Sequence, residues 1–121
     1  MKKNIFSCAI AGAAALALSA AIVAPASAAE AHKPKIALVM KSLANEFFLT
    51  MENGAKEYQK QNADKFTLVS NGIKNETDTA SQIQIVEQMI VSKADAIIIA
   101  PSDSRALVPV VKKAIDSGIL V

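Results

Sequence analysis

Three short apolar runs, KIALVM at residues 35–40, KFTLVS at 65–70 and ADAIIIAP at 94–101, alternate with longer stretches of helical periodicity. Runs this short, rich in branched side chains and without strict polar alternation, fit strands buried on both faces. Between the first two, Phe48, Met51, Ala55 and Tyr58 recur at three- and four-residue spacings. That spacing predicts a helix from Glu46 to about Asn62, with Glu52, Lys56 and Lys60 outside its apolar stripe. A second helix carries Ile83, Val86 and Ile90, widened by Ile85 and Met89, after a cap at Thr77 or Asp78. The third runs through Leu107, Val111 and Ala114 to Ser117, capped by Asp103 or Ser104 and closed by Gly118. ILV at 119–121 opens a fourth strand, and there the sequence stops.

Strands that alternate with helices are joined by right-handed crossovers and form a parallel sheet covered on both sides. The expected fold class is therefore α/β, an open doubly wound parallel sheet. Residues 35–121 contain no internal repeat and no low-complexity linker. A domain does not normally end inside a strand, so the expectation is one partial lobe, truncated in its fourth strand, at the front of a longer protein.

The amino terminus reads as a secretory signal peptide over residues 1–28. Lys2 and Lys3 precede an apolar, alanine-rich stretch from Ile5 to Val23, and Pro25 leads into the small residues Ala26, Ser27 and Ala28. Cleavage there would start the chain at Ala29, with residues 29–34 as a flexible lead, and would place the product in the periplasm. The single cysteine, Cys8, lies in the segment to be removed, so the remainder holds no thiol and no disulfide. Lys2 and Lys3 also account for the whole excess of 13 basic over 11 acidic residues. What is left is charge-balanced, with no basic run interleaved with aromatics, which argues against nucleic acid as a partner. His32 is the single histidine, and no cysteine remains to complete a metal or catalytic site around it.

Ligands of open parallel sheets bind beyond the carboxyl ends of the strands, where strand order reverses. KSLANEFF at 41–48 and APSDSR at 100–105 occupy such positions. Neither is a phosphate-binding loop, because G-x-G-x-x-G and G-x-x-x-x-G-K-[ST] are both missing and the first turn has no glycine. A small neutral ligand suits them better. Aromatic residues make up 4% of the chain, so two adjacent phenylalanines after a strand need a reason. Phe47 and Phe48 could stack on the C–H face of a sugar, or simply feed the core. Asn45 can donate and accept hydrogen bonds at once, as paired hydroxyls require, or cap a helix. Lys41 either reaches a ligand oxygen or stays solvated at a strand end. No nucleophile–base pair, metal cluster or cofactor loop is found, so the chain reads as a non-enzymatic binding protein without a cofactor.

The combination of Asn-x-Phe-Phe, NGAKEY and ADAIIIAPSDSRALVPVVKKAIDSGILV resembles the periplasmic sugar-binding proteins of the ribose- and allose-binding family. The resemblance implies the amino-terminal lobe of a monomeric, two-lobed receptor with a periplasmic-binding-protein-like fold. Such receptors deliver a monosaccharide to a membrane ABC permease, and some also to a chemoreceptor. It further implies that Asn45, Phe47 and Phe48 contact the sugar and that Lys41 faces it, as in the allose-type members. Glu46 stands where ribose-type members have proline, and Ala100 where they place a sugar-contacting asparagine, so the implied specificity is not ribose. Asp103 and Ser104 match the family loop and read mainly as a cap, and Arg105 as a surface residue. A sugar-responsive transcription repressor shares the fold, but it would need a helix-turn-helix in place of the signal segment.

Overall fold

The computed structural model describes residues 32–121. The expected signal peptide at 1–28 and the first residues of the lead lie outside the described residues. Six elements follow in the order β1 (Lys35–Met40), α1 (Glu46–Gln61), β2 (Thr67–Gly72), α2 (Thr79–Val91), β3 (Ala96–Ile99) and α3 (Val108–Asp116). All strands are parallel, in the order β2-β1-β3. Lys35 to Met40 pair with Thr67 to Gly72 on one side, and Ile36 to Val39 pair with Ala96 to Ile99 on the other. The chain thus steps from β1 to one neighbour and then crosses back to the other, which makes the carboxyl end of β1 the point where strand order reverses.

Strand alternation distributes the side chains between two faces. Ala37, Val39 and Ile97 project into a core completed by Val86 and Met89 of α2, Leu107, Val110 and Ala114 at α3, and Ile119 beyond it. The opposite face carries α1, whose Glu52 accepts a hydrogen bond from the Ser70 hydroxyl of β2. Where a fourth strand was expected, the described residues show an isolated bridge beside β3. Leu120 forms a parallel bridge to Ala96, accepting from the Ile97 N–H at 2.7 Å and donating to the Asp95 carbonyl at 3.1 Å.

The lead is tied to the same end of the sheet. His32 Nε2 lies 2.8 Å from Asp95 Oδ1, and the Lys35 N–H donates to Asp95 Oδ2 at 2.6 Å. These bonds, the Lys35 N–H foremost and then His32, hold the Asp95 carboxyl below its ordinary value.

Three details differ from expectation, each for a local reason. β2 runs on past Ser70 to Gly72, because pairing with β1 continues to Met40. Glycine is required at that end, since a Cβ at residue 72 would come within 2.8 Å of Leu43 Cγ and 3.1 Å of the Met40 carbonyl oxygen. On α1 the inward stripe is rotated from the apolar spacing. Glu52 is 4% exposed, whereas Met51 and Tyr58 are exposed. The less accessible positions are Phe48, Glu52, Ala55 and Gln59, which keep helical spacing around a polar contact. Ser70 supplies that contact from β2, and Lys56 Nζ pairs with Glu52 at 2.9 Å. Finally, α3 starts at Val108, with Pro109 in its first turn where a missing N–H costs nothing. Asp103 instead closes the preceding turn, accepting from the Arg105 and Ala106 N–H groups, both at 2.8 Å.

Two other helix ends are capped where the sequence placed them. Asp78 accepts from the Ser81 N–H at 3.1 Å at the start of α2. Gly118 takes φ +82° after α3, and the Ile119 N–H returns to the Ala114 carbonyl at 3.1 Å.

Candidate functional site

At the carboxyl edge of the sheet the turn after β1 docks on the loop after β2. The Leu43 N–H donates to the Ile73 carbonyl at 3.1 Å, and the buried Ser42 hydroxyl donates to the Lys74 carbonyl at 3.4 Å while accepting from the Ala44 N–H. Gly72 permits this approach. Asn45 then starts α1 as its N-cap, with Oδ1 accepting from the Phe47 N–H at 3.0 Å.

The other end of the Asn45 amide has a second use. Its Nδ2 donates to Glu76 Oε1 at 2.9 Å, and Lys41 Nζ lies 3.2 Å from Glu76 Oε2. One carboxylate in the β2–α2 loop therefore gathers Lys41 from the end of β1 and Asn45 from the start of α1. Both bonds favour the charged form, so the Glu76 carboxyl sits below its ordinary value, with Asn45 the larger cause and Lys41 next. Phe47 and Phe48 pack edge to face, with ring centroids 5.3 Å apart and planes at 81°. Phe47 is 66% exposed, whereas Phe48 is half-buried on the sheet-facing side of α1. All four candidates from the sequence thus share one rim.

The segment after β3 forms the neighbouring rim, and Gln82 of α2 ties it to the first. Gln82 is fully buried. Its Nε2 donates to the Ala100 carbonyl at 2.9 Å and to the Met40 carbonyl at 3.4 Å, and its Oε1 accepts from the Ser102 N–H at 2.7 Å. The Ser102 hydroxyl also bonds Thr79 Oγ1 at 3.0 Å, at the start of α2. Asp103 is used by its own turn and does not cap α3, and Arg105 is exposed, as expected.

Glu76 and Gln82 escaped the sequence reading. Glu76 sits in NGIKNETDT, which shows only as a turn, and it lies 31 residues from Asn45. A signal for Gln82 did exist, because an amide stands four residues before Val86, at the head of the apolar stripe.

A polar, aromatic-bearing rim at the reversal point of a parallel sheet stands where open α/β sheets take their ligands. Residues 36–121 match the periplasmic binding protein domain, and the chain belongs to that family. It is 78% identical over 90 residues to the D-ribose/D-allose-binding protein of Pseudomonas aeruginosa, covering 74% of this chain and 28% of that protein. An ABC transporter solute-binding protein from Burkholderia multivorans, solved with an unknown ligand assigned as alpha-D-erythrofuranose, superimposes with a TM-score of 0.73 at 80% identity. That match covers 74% of this chain and 31% of the other. A periplasmic solute-binding protein from Actinobacillus succinogenes with bound D-allose gives a TM-score of 0.67 at 43% identity, over 73% of this chain and 30% of that one. The chain therefore spans about 30% of the length of these relatives.

Proposed function

We propose that this lobe forms one wall of the cleft in a periplasmic solute-binding protein, which captures a monosaccharide of the allose or ribose type and hands it to a membrane ABC permease. The observation that carries the reading is the gathering of Lys41, Asn45 and the exposed ring of Phe47 on one rim. A sugar has apolar C–H faces and a border of hydroxyls. An accessible aromatic face plus groups that donate and accept match both. The relatives' names support the same ligand class and favour it over a repressor's sensing domain. The receptor works as a monomer by closing a second lobe over the sugar in a hinge motion, with no chemical change to the ligand. Residues 1–28 direct export to the periplasm and are cleaved in the process, leaving Ala29 first.

Titration calorimetry with D-allose and D-ribose on the protein carrying both lobes tests this. The expected result is micromolar affinity or better for at least one sugar, about −8 kcal/mol. No heat of binding from either sugar overturns the reading. Amino-terminal sequencing of the periplasmic product tests the export step, with Ala29 expected first.

A further inference from the structure

The ion pair at the rim carries a consequence for ligand charge that rests on the sugar-capture reading. Lys41 Nζ is a partly buried ammonium at the end of β1, and lysine is a common binder of phosphate and carboxylate groups. It stands beside the first turn of α1, where backbone N–H groups favour negative charge. A lone lysine there would make the rim attractive to anions. Glu76 changes that balance by placing an internal carboxylate 3.2 Å from Lys41 Nζ and 2.9 Å from Asn45 Nδ2. The neighbouring acids do not serve the same purpose. Asp78 and Asp103 are engaged by the backbone N–H groups of their own turns, and Glu46 is exposed to solvent on the first turn of α1.

We propose that Glu76 sets the charge class of the ligand: by neutralising Lys41 and anchoring Asn45, it lets the rim accept uncharged sugars and refuse sugar phosphates and sugar acids. An anionic ligand approaching Lys41 meets the Glu76 carboxylate, and like charges brought together at a recognition surface disfavour binding. Neutral hydroxyls meet no such cost, and the rim keeps the right valences for them. An ammonium has three donors and Lys41 gives one to Glu76. The Asn45 amide uses one of its two N–H groups on Glu76 and one of its oxygen lone pairs on the Phe47 N–H. What remains is a mixture of donors and an acceptor, the complement of a hydroxyl pair.

The test is an NMR titration of the isotope-labelled chain with millimolar D-ribose 5-phosphate, following the Asn45 side-chain amide and the Phe47 backbone amide. The native chain should show no saturable shift. Glu76→Gln should gain saturable binding, tighter than native by about tenfold or more, and the gain should weaken as salt is raised. Glu76→Ala should behave alike, which guards against glutamine keeping the Asn45 bond. Adding Lys41→Met to Glu76→Gln should abolish the gain, a result that a merely structural role for Glu76 does not produce. Native binding equal to that of Glu76→Gln, or no gain in either Glu76 variant, overturns the proposal. Calorimetry with neutral sugars on the two-lobed protein judges the sugar reading separately, so the two can fail independently.

Discussion

The two faces of the sheet are held by different means. Beneath α2 and α3, apolar side chains such as Ala37, Val39, Val86 and Leu107 close against one another, with the Gln82 amide satisfied at the edge towards the strand tips. Under α1, beside the buried Leu38 and Met40, the Glu52 carboxylate meets the Ser70 hydroxyl, with the half-exposed Lys56 at its edge, and Ile98 of β3 stays 56% exposed because α1 lies over β1 and β2. The first face supplies most of the cohesion. The second presents the start of α1, with its candidate ligand groups, at a rim whose side chains contribute little to the core. Changes at the rim should therefore alter recognition without unfolding the lobe, and changes beneath α2 and α3 should do the reverse.

The contrast breaks most visibly at Leu107. Leu107→Ala empties a site that is 2% exposed and should lower stability by about 2–5 kcal/mol in denaturant melts. A loss below about 1 kcal/mol would mean that this face is not the main source of cohesion. Gln82→Leu keeps the volume but leaves two carbonyls and the Ser102 N–H without their partner, so stability should fall by about 1–3 kcal/mol. Amide hydrogen exchange at Ser102 should quicken in the same variant.

Rim substitutions should divide the two properties. Phe47→Ala should weaken sugar binding to the two-lobed protein by about 1–2 kcal/mol in calorimetry. Its melting curve should move by about 0.5 kcal/mol or less, the usual range for an exposed side chain. Equal losses of affinity and stability would show the ring to be part of the core. On the α1 face, Glu52→Gln keeps a partner for Ser70 and loses the charge attraction to Lys56, so melts should register less than about 1 kcal/mol.

The smallest effect concerns pH. The Asp95 carboxyl lies below its ordinary value of 3.8 in the folded chain, so its contribution to stability is present in full above that value. As pH falls through the lowered folded value, the carboxyl is protonated and the contribution disappears. Glu76, Asp78 and Asp103 are lowered as well and act in the same direction. Melts recorded down an acid series should show stability declining below pH 3.8, with a shallower decline in Asp95→Asn.

Much of this architecture is legible in residue spacing. KIALVM coincides with β1, Asp78 caps α2 and Gly118 closes α3 in a left-handed conformation, because each of these depends on near neighbours in the chain. The rotation of α1 was not legible. Apolar periodicity reports where carbon prefers to go, and the Glu52–Ser70 contact that sets the rotation joins residues on different elements. The same holds at the rim. Lys41, Asn45, Phe47 and Phe48 lie in one short stretch and are seen together, but Glu76 reaches them only through the β2-β1-β3 order. The resemblance to sugar receptors selected the first four and carried no information on the fifth.

Gln82 gives the lobe a common frame of reference. Through one planar amide it fixes the tip of β1, the tip of β3 and the first bend beyond β3 relative to one another. The rim bearing Lys41 and Asn45 and the rim bearing Ser102 are consequently parts of a single rigid jaw. In the proposed closure, every group along this edge would travel the same arc, and the bending would be left to connections outside the lobe.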